Sequence, residues 1–131
     1  MKGFKTNIEK ETLENANFRK VLYTAQGTQL VLMSLKKGEE IGEEIHTEND
    51  QFFRFEEGQG KVLIDGNAYS ISADDVIIVP RGAKHNVINT GEGDLKLYTL
   101  YSPPHHKDGT VRATKAEADA DEPPFDGVTT E

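Results

Sequence analysis

Apolar residues in the middle of the chain fall into short runs that are rich in β-branched and aromatic side chains. Glycine and aspartate interrupt these runs at close, fairly even spacing, which is typical of an all-β sandwich or barrel. The predicted strands cover residues 19–23, 28–35, 52–55, 61–64, 68–71, 76–79, 85–89 and 95–101. Asp65-Gly66 gives the sharpest hairpin signal, because both residues tolerate the positive φ of a tight turn.

Helical signals are confined to the two ends of the chain. Residues 8–16 can form one or two turns, and Thr114 and Glu117 have the spacing of a capping box that starts a short acidic helix. Pro103-Pro104 and Pro123-Pro124 interrupt regular structure. We expect a single domain over residues 1–131. Its barrel core spans about 19–101, and an acidic segment, 102–131, packs over the barrel or extends into solvent.

The negative charge of the chain is concentrated near its end. The net charge is -8, and residues 116–131 hold six acidic residues and no lysine or arginine, so -6 of the -8 lies there. A nucleic-acid-binding protein normally has a clustered basic face, and a protein that binds anionic membranes has a basic amphipathic helix. The sequence shows neither. It contains no long apolar run, and because its first residues lack an apolar stretch, we expect no secretory signal. We therefore expect a soluble, cytoplasmic protein that binds neither nucleic acid nor membrane.

Four side chains that can bind a metal ion are placed where strands and turns can bring them together: Glu44, His46, Gln51 and His85. Glu44 and His46 are two residues apart and so share one face of an extended strand. The chain has no cysteine, so a metal site must use imidazole, carboxylate, amide or water. The alternative is that these are ordinary packed or solvated side chains, since Glu-x-His also occurs by chance in charged segments.

The spacing of these residues resembles the first motif of the cupin family. Glu44-Ile45-His46 is followed after four residues by Gln51 and after six more by Gly58. Cupins have His-x-His, glutamate and glycine at these positions. Glu44 therefore replaces the first histidine, and Gln51 replaces the glutamate.

The second cupin motif is matched farther along the chain. Five residues lie between Asp74 and Pro80-Arg81-Gly82, two more lie between Gly82 and His85, and three lie between His85 and Asn89. Asp74 stands where cupins have glycine. The resemblance extends more loosely over residues 28–101. It implies a double-stranded β-helix, the jelly-roll barrel, with short helical or irregular segments at its ends.

The resemblance also implies a divalent metal ion, Fe, Mn, Ni or Zn, bound by Glu44, His46 and His85. Two histidines and one carboxylate are the ligand set that leaves open positions on non-haem Fe(II). Gln51 is then a fourth ligand or a hydrogen-bond partner of a metal-bound water. Glu44 and Gln51 are the candidate catalytic residues, although Glu44 cannot easily be both ligand and base.

Further residues are expected to line the cavity around the metal. Residues two apart on a strand share a face, so Phe53 lies beside Gln51 if Gln51 points inward, and Val87 follows His85. The register of the last long strand decides between Tyr98 and Thr99, and we place Tyr98 in the substrate pocket. The alternative is that the phenylalanines are ordinary core. Adjacent histidines on an extended segment point opposite ways, so at most one of His105-His106 can reach the site.

Three functions are compatible with this sequence. The first is a metal-dependent enzyme that acts on a small oxygen-rich molecule by oxygenase, lyase or isomerase chemistry. The second is a sugar-phosphate isomerase of the mannose-6-phosphate isomerase type, since those cupins bind zinc with the same four residue types. The third is a cupin that binds a small molecule or sugar without converting it.

We also expect a homodimer, because exposed strand edges such as those offered by residues 19–35 need covering.

Overall fold

The computed structural model describes all residues, 1–131, and consists of ten strands and two short helices. The helices are α1 (Ile8–Glu14) and α2 (Lys115–Ala120). The strands are β1 (Arg19–Thr24), β2 (Gln29–Leu35), β3 (Glu44–Ile45), β4 (Asp50–Glu57), β5 (Gln59–Ile64), β6 (Asn67–Ser72), β7 (Val76–Val79), β8 (Lys84–Asn89), β9 (Leu95–Ser102) and β10 (Val111–Arg112). Neither helix is long and apolar enough to cross a membrane.

The strands form two antiparallel sheets. One sheet has the order β10-β1-β2-β9-β4-β7, and the other has the order β3-β8-β5-β6. A single cluster of buried apolar side chains includes Phe53 and Phe55 from the first sheet and Val62 and Val87 from the second, so the core lies between the sheets. The all-β jelly roll predicted from the sequence is confirmed.

Alternation along β4 shows how the sequence determines the faces of the sheet. Gln51, Phe53 and Phe55 are buried, whereas the intervening Phe52 and Arg54 are partly exposed. Successive side chains of a strand point to opposite faces, so one face of β4 lines the barrel and the other faces outward. Gln51 is the polar member of the inward series and marks where the apolar core ends and the site begins.

The hairpin at Asp65-Gly66 forms as predicted. Ile64 pairs with Asn67 across β5 and β6, and Asp65 and Gly66 have φ values of 45° and 83°. Two consecutive positive φ angles are those of a type I′ turn, whose twist matches that of the flanking strands. The predicted cap of α2 is also present, with Thr114 Oγ1 accepting a hydrogen bond from the Glu117 N–H at 3.2 Å.

The segment after β9 folds back over the barrel. β10 pairs with the start of β1, with Arg19 opposite Arg112, and thus covers part of that strand edge. Farther along, the Phe125 N–H donates to the carbonyl of His105 at 3.0 Å, and the Lys107 N–H donates to that of Pro123 at 3.1 Å. The two proline pairs therefore belong to neighbouring extended stretches. The sequence did not predict β10, and it left open whether this segment packs on the barrel.

Candidate metal centre

Glu44, His46 and His85 meet where β3 pairs with the start of β8. Glu44 lies directly opposite His85 in this ladder. His46 follows β3, and its carbonyl accepts a hydrogen bond from the Gly82 N–H at 2.8 Å, which ties it to the turn before β8. One ligand atom from each of the three side chains lies within 4.8 Å of the others. The structure thus brings together three of the four residues predicted to form a metal site.

The ring of His85 is held by a backbone hydrogen bond. Its Nδ1 lies 3.0 Å from the carbonyl oxygen of Ala83. Because a carbonyl oxygen can only accept, Nδ1 carries the proton, so Nε2 is the nitrogen that can offer a lone pair. Metal-bound histidines are commonly oriented in this way. The His85 Nε2 is buried and has no hydrogen-bond partner.

His46 presents a second unpartnered nitrogen. Its Nε2 is buried and lies 2.9 Å from a carboxylate oxygen of Glu44, without the alignment of a hydrogen bond. Its ring centroid is 5.2 Å from that of His85. Buried polar atoms without partners cost free energy, and native structures contain few of them. A divalent cation bound by two imidazole nitrogens and one carboxylate satisfies all three groups, so this donor set fits a metal ion.

Gln51 is buried on β4, in the sheet opposite the one that carries Glu44 and His85. It is only 3% exposed, and its Nε2 donates to Thr99 Oγ1 at 3.0 Å, whereas its Oε1 is buried without a partner. Gln51 pairs with Tyr101 across β4 and β9, and the Tyr101 ring lies 5.7 Å from that of His46. The free amide oxygen is the atom suited to bind a metal or a metal-bound water. Whether Gln51 is a ligand stays a prediction.

Charge at the site is balanced around Glu44. Burial opposes ionisation of Glu44, but the nearby His46 ring and the charge of Arg19 outweigh it and lower the pKa of Glu44. Burial also raises the pKa of Tyr101, so its hydroxyl stays protonated. Burial lowers the pKa of His105 to about 4, and its neighbours His106 and His46 act in the same direction. The site therefore combines an ionised Glu44 carboxylate with a protonated Tyr101 hydroxyl and a neutral His105 ring.

The segment after β9 forms a roof over the cluster. The His105 ring lies 4.4 Å from that of His46, so one histidine of the pair does reach the rim of the site. The His106 ring turns away, with Nε2 at 3.3 Å from the Tyr101 hydroxyl and Nδ1 at 3.3 Å from a Glu122 carboxylate oxygen. Beneath the roof is a cavity of about 130 Å³.

Two residues of this roof were missed by sequence analysis, Arg19 and Glu122. They form an ion pair, although they are far apart in the sequence. Both line the cavity together with Glu44. No sequence signal distinguishes a buried arginine at the start of a strand from an exposed one. Glu122 is one of several acidic residues in the segment after residue 102, and nothing in the sequence sets it apart from the others.

The predicted pocket residues have different positions in the structure. Phe53 is buried, with its ring 6.4 Å from that of His85, and Val87 is buried in the core two residues after His85. Tyr98 is not in the cavity, and this prediction is wrong. It lies on the outer face of β9 beside Phe52, with ring centroids 6.4 Å apart. Thr99 faces inward instead and binds Gln51.

Asp74 explains one departure from the second cupin motif. It has a φ of 74°, in the left-handed region that glycine adopts without cost. Aspartate tolerates this conformation better than most residues. Its carboxylate also accepts a hydrogen bond from Arg54 at 2.8 Å. The replacement of glycine therefore leaves the turn intact.

The jelly-roll barrel with its histidine and carboxylate cluster defines the class of this protein. A model of the cupin domain family matches residues 31–101, more than half of the chain, and the chain belongs to the cupin family. The sequence resemblance is thereby confirmed.

Individual proteins extend this likeness over nearly the whole chain. Protein YrkC of Bacillus subtilis is 46% identical over 127 residues, which cover 92% of this chain and 68% of YrkC. Protein L612 of Acanthamoeba polyphaga mimivirus is 40% identical over 116 residues, covering 86% of this chain and 72% of that protein. The crystal structure of BH2720 from Bacillus halodurans matches with a TM-score of 0.89 and 46% identity, covering 90% of this chain and 94% of that one.

Proposed function

We propose that the protein is a metal-dependent enzyme that acts on a small oxygen-rich molecule at the Glu44, His46 and His85 cluster. The observation that carries this proposal is the pair of buried, unpartnered imidazole nitrogens beside an ionised carboxylate. A structural role does not require such an arrangement, because an apolar or hydrogen-bonded set would be more stable. A ligand set without thiolate suits Fe, Mn, Ni or Zn.

A bound metal ion supplies Lewis acidity and open coordination positions for an oxygen atom of the substrate. The chain's own residues hold and shape the site. The backbone carbonyl of Ala83 fixes the tautomer of His85, and Thr99 orients the amide of Gln51 so that its oxygen stays free. The Tyr101 hydroxyl remains protonated and can donate a hydrogen bond, and Phe53 excludes water from the inner wall.

Turnover assays with the metal-loaded protein test this function. Product formation is measured with and without oxygen, across diketones, flavonols, thiols and sugar phosphates. Oxygen uptake is measured in the aerobic assays. Oxygen-dependent turnover supports oxygenase chemistry, and oxygen-independent turnover supports a lyase or isomerase. Turnover confined to sugar phosphates identifies the isomerase alternative. Saturable binding without any product contradicts an enzymatic function and supports a binding protein.

Replacing Gln51 with alanine tests how this residue contributes to the site. The variant should bind metal about 10- to 100-fold more weakly if Gln51 acts through a hydrogen bond to a metal-bound water or ligand. The dissociation constant for Zn²⁺ is measured by competition with a chromophoric chelator. Thr99→Val is the matched variant, since it removes the hydroxyl that holds the amide and should weaken binding by a smaller factor. Unchanged affinity in Gln51→Ala would exclude a role in metal binding.

We also propose that the protein is a homodimer that covers an apolar row on the outer face of the larger sheet. Ile78, Phe52 and Leu100 lie side by side across β7, β4 and β9, and Ile78 is 63% exposed. β7 is the last strand of that sheet, so its outer edge lacks a partner strand within the chain. Exposed apolar edges of this kind favour association with a second copy.

The variant Ile78→Asp is expected to convert this dimer to a monomer, because a carboxylate in the contact would be desolvated. Light scattering coupled to size-exclusion chromatography measures the mass. Val128→Asp is the control, since Val128 is 61% exposed but lies in the tail. A monomeric wild-type protein, or a dimer that survives Ile78→Asp, contradicts this proposal.

A further inference from the structure

We propose that Arg19 is the anion-binding residue of the site, and that the carboxylate of Glu122 occupies it when no ligand is bound. The ligand class that follows is a small carboxylate that binds the Arg19 guanidinium and lies beside the metal cluster. This inference rests on the proposed function for the role of the metal. The anion-binding claim itself depends only on Arg19 and Glu122.

Arg19 is a buried cation on a rigid element. It is 4% exposed, begins β1, and is held between Met33 of β2 and Arg112 of β10 in the sheet register. Its guanidinium carbon lies 5.2 Å from the centre of the Phe18 ring. Burying a guanidinium is costly unless its charge is paired and its N–H groups find acceptors. The guanidinium of Arg19 therefore needs acceptors from the protein or from a ligand, because little of the side chain is exposed to water.

The hydrogen bonding of Arg19 is incomplete. One terminal nitrogen, Nη1, contacts Glu122, whereas Nε is buried and has no partner. A carboxylate normally binds the planar guanidinium through two parallel N–H groups. Glu122 thus fills only part of the binding capacity of Arg19. The Nε–H is a donor without an acceptor, on a side chain that lines the cavity.

The cavity places Arg19 next to the metal cluster. Its volume is about 130 Å³, and its wall includes both Arg19 and the metal-site residue Glu44. His105 and His106 form other parts of the wall, as do Pro123 and Pro124. A molecule with a carboxylate at Arg19 and a few further atoms reaches the side of the cavity that Glu44 lines. The small volume favours a compact organic acid over a sugar phosphate.

Glu122 has the properties of an exchangeable occupant. Its side chain is 30% exposed, compared with 5% for that of Arg19, so the acid is the partner that can move away. Partial burial opposes ionisation, but His106 and Arg19 hold the pKa of Glu122 below its usual value, so it is an anion. A ligand carboxylate that replaces it restores the same charge balance around Arg19. The residue that fills the site in the structure is itself a carboxylate, which indicates the chemistry that the site accepts.

Acetate is the probe, and its neutral isostere acetamide is the control ligand. Isothermal titration measures binding to the chelator-treated protein and to the Zn²⁺-loaded protein. Wild type should bind acetate but not acetamide. Glu122→Gln should bind acetate about 10-fold or more tightly, because a neutral amide competes less well for a charged donor. Arg19→Gln should lose acetate binding in both forms, and Arg19→Lys should fall between it and wild type.

Arg112→Gln is the matched control. Arg112 lies opposite Arg19 in the sheet and pairs with Asp121, the neighbour of Glu122, but does not line the cavity. It should leave acetate binding unchanged. An equal effect of Arg112→Gln would mean that docking of the tail, not the charge of Arg19, controls binding. Unaltered affinity in Glu122→Gln would likewise overturn the proposal, even if Arg19→Gln failed to fold.

The two metal states separate this inference from the proposed function. One outcome is that acetate binds only the Zn²⁺-loaded protein, with the same affinity for Arg19→Gln and wild type. Acetate is then recognised by the metal alone, and this result would overturn the role of Arg19. Arg19-dependent binding to a protein that takes up no Zn²⁺ supports the anion site and contradicts the metal-dependent function.

Discussion

Replacing His46 or His85 with alanine is expected to abolish tight metal binding and leave the barrel folded. Each variant removes one of only two imidazole nitrogens in the cluster, so the loss should exceed the roughly 100-fold that follows removal of an outer partner of a metal site. Both rings lie at the cluster, outside the group of apolar residues that forms the core. Zinc content after dialysis, together with the rise in melting temperature on adding Zn²⁺, measures the effect.

His106→Ala is the control for these variants. Its imidazole is buried close to the site but pairs with Tyr101 and Glu122 instead of belonging to the cluster. It should keep its zinc. Full zinc binding by His85→Ala would contradict the ligand assignment. Loss of the β-sheet circular dichroism in that variant would contradict the claim that the histidine is not part of the folding core.

Replacing Gly58 with alanine is expected to destabilise the fold by roughly 2–5 kcal/mol. Gly58 connects β4 to β5 at a φ of +99°, a conformation that costs a side-chain-bearing residue roughly 1–2 kcal/mol. A Cβ there would also lie 2.5 Å from the carbonyl oxygen of Asp94 and 3.0 Å from the Cα of Leu95. Because both contacts are with backbone, relief requires the strands to separate, and overpacking adds about 1–3 kcal/mol.

The variant Gly66→Ala separates the cost of the backbone conformation from the cost of the steric overlap. Gly66 has a similar φ of +83°, but a Cβ there meets nothing within 4 Å. Its free energy of unfolding should fall only by the conformational cost, about 1–2 kcal/mol. Urea denaturation gives the free energy of unfolding of both variants. Equal losses would show that the approach to Asp94 does not explain why glycine occupies position 58.

The strands were predictable because their pattern depends on local chemistry. Each of the eight predicted runs coincides with a strand of the structure, and the ends agree within two residues. The Asp65-Gly66 turn was predictable for the same reason, because its two positive φ angles require these residue types. Glu44, His46 and His85 could be grouped because both motifs resemble those of the cupins, and the pairing of β3 with β8 brings the two motifs together.

The remaining errors concern contacts that local patterns do not encode. A strand places alternate side chains on opposite faces, so an uncertainty of one residue in register put Tyr98 inside and left Thr99 undecided. The ion pair of Arg19 and Glu122 joins residues distant in sequence, and neither has a motif around it. β10 has only two residues, too short for a strand pattern to show. The contacts of the segment that covers the site therefore could not be predicted from the sequence.

The central claim is that Glu44, His46 and His85 bind a divalent metal ion. The most direct test is anomalous scattering from crystals of protein purified without chelator, with the metal content measured in the same sample. We predict one metal ion per chain, bound by these three side chains. Protein without metal, whose melting temperature is unchanged by added Mn²⁺, Fe²⁺, Ni²⁺ or Zn²⁺, would contradict the claim.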